Sequence, residues 1–188
     1  MRNPVVAALI LFCSGVAAHA ADSYTLDPAH TFPRFEISHF GFSTHHGQFN
    51  RTAGKLVLDR AAKTGSLEVT VDTSSIGTGD PALEKHLRSE DFFNVAKYPA
   101  MTFRSTAIRF NGDVPVAAEG ELTLLGVTRP LTLTISRVSC GIHPFLKKED
   151  CGAEVSGTLK RSDFGMKAYI PAVGDEVTLH IQVEAHHD

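Results

Sequence analysis

Val177-Thr-Leu-His-Ile-Gln-Val-Glu-Ala185 alternates strictly: Val177, Leu179, Ile181, Val183 and Ala185 are apolar, and Thr178, His180, Gln182 and Glu184 between them are polar. Successive side chains on an extended backbone point to opposite faces, so a period of two marks a strand with one buried face. Leu131, Leu133 and Ile135 alternate likewise with Thr132, Thr134 and Ser136, and Phe35, Ile37 and His39 with Arg34, Glu36 and Ser38. Further strands are predicted over residues 55–59, 66–72, 101–110, 117–125 and 154–160, with turn-forming residues such as Asn111-Gly112-Asp113 in the gaps. One segment departs from this period. Asp80-Pro81 supplies a cap and a first helical residue, and Leu83 and Leu87 then share one helix face. A short helix over residues 81–89 is predicted, followed by a compact turn at Asp91-Phe92-Phe93. The chain is therefore all-β, about eight antiparallel strands with a short helical insertion. Such a sheet must close into a barrel or split into a sandwich, and the pattern leaves both open.

The 188 residues carry 18 Lys and Arg against 21 Asp and Glu, a net charge of −3, with 43% hydrophobic and 21% charged residues. That balance belongs to a folded domain and excludes a disordered chain. With no Lys/Arg block, neither nucleic acid nor an anionic membrane surface is expected as a partner. Residues 1–20 read as a cleaved signal peptide. Arg2 precedes the apolar run of residues 5–12, and Ala18-His19-Ala20 gives the small-x-small cleavage pattern. The run is too short for a span of about 20 apolar residues, and no stable membrane insertion is expected. Residues 21–188 then form one domain. Cys13 leaves with the leader, so Cys140 and Cys151 remain as an even pair in an oxidising compartment and are expected to form a disulfide.

The sequence holds no G-x-S-x-G, H-E-x-x-H, Walker or G-x-G-x-x-G motif, so no local nucleophile–base pair or nucleotide loop is encoded and no enzyme is expected. Ten histidines require weighing against metal chemistry. His39 and His45 bracket the Phe40-Gly41-Phe42 turn and are able to converge, whereas His45 and His46 point to opposite faces of a strand. His186-His187 reads as a solvated tail, and no metal ligand is assigned. Twelve Phe and no Trp make phenylalanine the main bulky apolar supply, crowded at Phe32, Phe35, Phe40, Phe42 and Phe49 and again at Phe92, Phe93 and Phe103.

Several short motifs occur together in order. They are Asp27-Pro-Ala-His30-Thr31, Phe35-Glu-Ile-Ser-His39-Phe-Gly-Phe-Ser43, Gly47-Gln-Phe49, His86-Leu-Arg-Ser-Glu-Asp-Phe-Phe93, Tyr98-Pro-Ala-Met-Thr-Phe103, Gly120-Glu-Leu-Thr123, Gly126-Val-Thr128 and Arg161-Ser-Asp-Phe-Gly165. In this order and spacing they resemble the YceI family of secreted polyisoprenoid-binding proteins. The resemblance implies an extended, eight-stranded, lipocalin-like antiparallel barrel with a long internal tunnel. It further implies a periplasmic, non-enzymatic carrier that sequesters a polyisoprenoid or similar amphiphilic lipid of quinone or polyprenyl type, with no cofactor beyond that lipid. The Cys140–Cys151 segment departs from the family pattern and bears on one barrel end.

On this reading Phe35, Ile37, His39 and Phe42 line the tunnel. Leu87, Phe92 and Phe93 plug it, and Met101, Phe103, Leu133 and Met166 complete the lining. His39 and Arg161 are placed to meet a polar head group, with Asp163 or Asp91 as the alternative partner of Arg161. Two other functions are carried alongside: a metal-dependent hydrolase built on the His39/His45/His46 cluster, and a stress-response interaction module whose lipid is incidental. A homodimer through an exposed edge or the disulfide-bearing hairpin is also left open.

Overall fold

A computed structural model describes residues 21–188; the leader read over residues 1–20, Cys13 included, lies outside the described residues. The elements are β1 (Asp22–Leu26), β2 (Phe32–His39), β3 (Ser43–Phe49), β4 (Thr52–Asp59), β5 (Thr64–Asp72), β6 (Ile76–Gly77), α1 (Pro81–Leu87), β7 (Ala100–Asn111), β8 (Val114–Leu124), β9 (Val127–Ile142), β10 (Glu149–Lys160) and β11 (Val173–His187). Every pairing is antiparallel, and β1 bonds both β4 and β11, which closes the sheet into a barrel.

The barrel has eight positions because three of them are shared by two strands in tandem. β1 and β2 both lie along β11, joined by the crossing at residues 27–31. β3 pairs with β2 while β4 pairs with β1, and β6 pairs with β3 while β5 pairs with β4. β7 to β11 each fill one position and follow one another by hairpins or a short connection. Sandwich and barrel differ only in whether the first and last strands bond, and here Leu26 meets Ala185.

The β2–β3 turn, the β8–β9 turn and the 161–172 connection share one end of this up-and-down topology with α1. The opposite end carries the β4–β5, β7–β8 and β9–β10 turns, where Lys63 pairs with Asp113. Cys140 and Cys151 stand directly opposite each other on β9 and β10 at that far end and form the disulfide.

α1 begins as its sequence dictates: the Ala82 amide donates to the Asp80 carboxylate at 2.9 Å, and Pro81 occupies the first turn. It stops at Leu87, two residues before the predicted end. There the Arg88 guanidinium leaves the helix to donate to the Ser74 and Ile76 carbonyls at 2.9 and 2.7 Å, and the Phe93 amide folds back onto the Leu87 carbonyl. These bonds tie α1 to the end of the barrel wall at β6.

Candidate functional site: an apolar cavity with a histidine and aromatic mouth

The inward-facing residues of the strands enclose a cavity of about 420 Å³. Val177, Leu179, Ile181 and Val183 of β11 face it, which is the phase read from the sequence. At the far end the barrel is filled by the buried side chains of Tyr24, Leu58, Ile108 and Ala118, none of which borders the cavity. At the near end Phe40 and Tyr169, 53% and 57% exposed, border both cavity and solvent and mark the mouth. The tunnel is thus blind.

Phe35, Ile37 and His39 of β2 line this space, as do Leu87, Phe92, Phe93, Met101, Phe103, Leu133, Arg161 and Met166. Phe49 holds two of them in place, packing against Phe35 at 6.0 Å and edge-on against Phe93 at 5.3 Å between ring centroids. Phe42 does not line it. Phe40 and Gly41 both take left-handed backbone (φ 53° and 70°), which ends the alternation of β2 and swings Phe42 outward to 92% exposure at the hairpin tip.

Arg161 borders the cavity, but its guanidinium is not available to a head group. It donates to the carbonyls of Gly174 (2.7 Å), Ala168 (2.8 Å), Val173 (3.1 Å) and Met166 (3.3 Å), and the residue is only 2% exposed. Neither Asp163 nor Asp91 pairs with it among the described residues. Asp175 supplies a compensating charge while accepting from the Ser162 amide and hydroxyl. Burial lowers the Arg161 pKa, and the attraction of Asp175 opposes that. Arg161 is therefore a clasp on the connection that forms one side of the mouth.

Sequence reading missed Phe40, His86 and Tyr169 at the mouth. The His86 ring meets Phe92 at 5.0 Å and Tyr169 at 5.8 Å, and Phe92 stacks on Tyr169 at 6.1 Å. Across from them His39 and His45 stack at 4.1 Å with ring planes only 15° apart. Leu83, Leu87 and the spacing of His86 between them carried a signal, since positions three and four apart share a helix face. Tyr169 gave none: it sits in an irregular connection with positive φ.

Among the described residues no Asp or Glu side chain lines the cavity. The wall is mostly apolar, with Thr31, Thr52, Thr78 and Thr102 among its residues, and imidazoles gather at the rim. His39 and His45 have no hydrogen-bond or ion-pair partner among the described residues, and no third metal-ligating side chain joins them. His186 and His187 are not a loose tail. They are the last residues of β11, paired with Thr25 and Tyr24 of β1.

A closed antiparallel barrel around a blind, largely apolar cavity has the architecture of a lipocalin-like binding fold. The chain belongs to the YceI-like domain family, which it matches over residues 24–185. It is 36% identical over 178 residues to Protein YceI of Escherichia coli O157:H7, covering 94% of this chain and 92% of that one. A UPF0312 protein of Pseudomonas aeruginosa is 38% identical over 175 residues, 93% and 91% of the two chains. In fold the chain is also similar, with TM-score 0.62 and 16% identity over 88% of this chain and 98% of that one, to a polyisoprenoid binding domain from Saccharophagus degradans implicated in plant cell wall breakdown. No helix among the described residues is long and apolar enough to cross a membrane.

Proposed function

We propose that this protein is a periplasmic, non-enzymatic carrier of a long-chain isoprenoid lipid, of quinone or polyprenyl type, held tail-inward in the barrel. The observation that carries this reading is the blind apolar cavity with imidazole and aromatic rings at its mouth. Each methylene buried there contributes about 0.8 kcal/mol. A supple tail thereby offsets the association and ordering costs of roughly 4–15 kcal/mol within a modest number of isoprene units. Met101 and Met166 suit a pliant guest, because the unbranched thioether adapts its shape. Without a carboxylate on the wall, a neutral or anionic head group is favoured over a cationic one. The leader sequence and the disulfide support export to an oxidising compartment, and the kinship with a polyisoprenoid-binding fold supports the class of guest.

Mass spectrometry of an organic extract from protein purified out of the periplasm tests this. About one isoprenoid per chain is expected, lost in a folded Phe35→Asp variant. A folded wild-type protein that yields no lipid, or a Phe35→Asp variant with undiminished lipid, would overturn it.

A further inference from the structure

On the outer face of the barrel, away from the cavity, the β1–β2 crossing passes over β11 and gathers five metal-ligating side chains. We propose that Asp27, His30 and Glu184, with His186 as fourth ligand, bind one divalent zinc ion.

The backbone holds this corner rigid. The Asp27 amide donates to the Glu184 carbonyl at 2.9 Å, and the Thr31 hydroxyl bridges the Glu184 carbonyl and amide at 3.2 and 3.3 Å. One oxygen of Asp27 is engaged by the Ala29 amide at 2.8 Å, which aims the other, Oδ2, at the histidines. That oxygen lies 2.6 Å from His30 Nδ1 and 3.5 Å from His186 Nε2, and His30 Nδ1 lies 3.8 Å from Glu184 Oε2. Ligand atoms of Asp27, His30 and Glu184 all fall within 4.8 Å of one another.

Ligands at zinc distances of about 2.0–2.2 Å in a tetrahedron stand roughly 3.3–3.6 Å apart. Two of these three separations are already close to that, while His186 stands outside the group of mutually close ligand atoms and has to turn in to join them. The third, His30 to Asp27, has to open by less than about 1 Å, and His30 is 55% exposed and free to swing.

His186 supplies an independent indication. Its Nδ1 sits 2.9 Å from Asp150 Oδ1, the carboxylate–imidazole contact that orients a metal-binding histidine from behind. With Nδ1 held by Asp150, Nε2 is turned toward Asp27 Oδ2 at 3.5 Å, a separation that two ligands of one zinc ion share. Two imidazoles and two carboxylates form a nitrogen–oxygen set suited to zinc, and the third carboxylate, Asp150, leaves the corner anionic. Leu26 and Ala185, buried beside it, separate the ion from the cavity's lipid-facing wall. The ion would pin the crossing to β11 and has no part in the lipid site, so this inference stands or falls apart from the carrier reading.

Calorimetric titration of ZnCl2 into the untagged, chelator-stripped full chain tests the site. One zinc per chain is expected, with micromolar or tighter affinity and a thermal midpoint that rises with zinc. His30→Ala and Glu184→Gln should each weaken binding at least tenfold, and Asp150→Asn by a smaller factor, while His39→Ala leaves it unchanged. Absence of stoichiometric binding, or binding that survives His30→Ala and Glu184→Gln, or binding lost with His39→Ala, would overturn it. If a variant fails to fold, Co2+ titration of the wild-type chain decides. Intense tetrahedral visible bands support the site, and their absence refutes it.

Discussion

The ring of Phe35 occupies the space that a side chain on Gly47 would fill: a Cβ there would stand 2.3 Å from Phe35 Cζ. The two residues face each other across β2 and β3, so the missing Cβ lets the ring lie on its neighbour and still line the cavity. Gly47→Val should push Phe35 toward the cavity and Phe49. Overpacking of this kind costs about 1–3 kcal/mol. A thermal midpoint lowered by several degrees together with reduced lipid per chain is the expected result, read by calorimetry and extract mass spectrometry.

Arg161→Met should remove the donors of four carbonyls at the mouth and leave them unsatisfied. A loss of about 3 kcal/mol or more is expected in urea unfolding, with Arg161→Lys recovering only part, since an ammonium cannot span the same fork of acceptors. A variant that keeps full stability but loses its lipid would return Arg161 to the head-group role.

Acid should loosen the same region. The Ser162 hydroxyl holds the Asp175 carboxyl below the usual range against the opposing effect of burial, with help from the Ser162 amide and Arg161. The Ser74 hydroxyl does the same for Asp72, burial again opposing, with Arg51 assisting. A folded pKa below the unfolded value means the contribution is fully present above the unfolded value of about 3.9. It is lost as pH falls through the folded one. The urea midpoint of wild type should therefore drop steeply below about pH 4, and Asp175→Asn should start lower at neutral pH and fall less.

Reduction of Cys140–Cys151 should cost about 3 kcal/mol, the loop-closure entropy of a short ring, while leaving lipid content unchanged. The bond staples the end of the barrel remote from the mouth. Extract mass spectrometry of a Cys140→Ser/Cys151→Ser protein checks the second half of this expectation.

β11 was legible because one of its faces turns to the cavity and the other to solvent, and Val177 to Val183 point where their alternation placed them. Alternation says nothing of where a strand changes partner, so the tandem sharing of three barrel positions was hidden. Phe42 shows the same limit: two left-handed residues before it reset the phase, and only Gly41 announces that conformation. The partners of Arg161 are carbonyls, which every residue carries and no sequence distinguishes. His186 read as a tail because its strand partners, Thr25 on β1 and Asp150 on β10, lie far from it in the chain.

A cavity with one mouth imposes an order on its traffic. On the proposed carrier reading, a long amphiphile enters tail first and leaves head first, so its polar end waits among His39, His45 and His86 while the rest stays hidden from water. Any acceptor meets the head group before it meets the tail. Recognition then precedes release, and cargo is surrendered only where the emerging tail finds another apolar refuge.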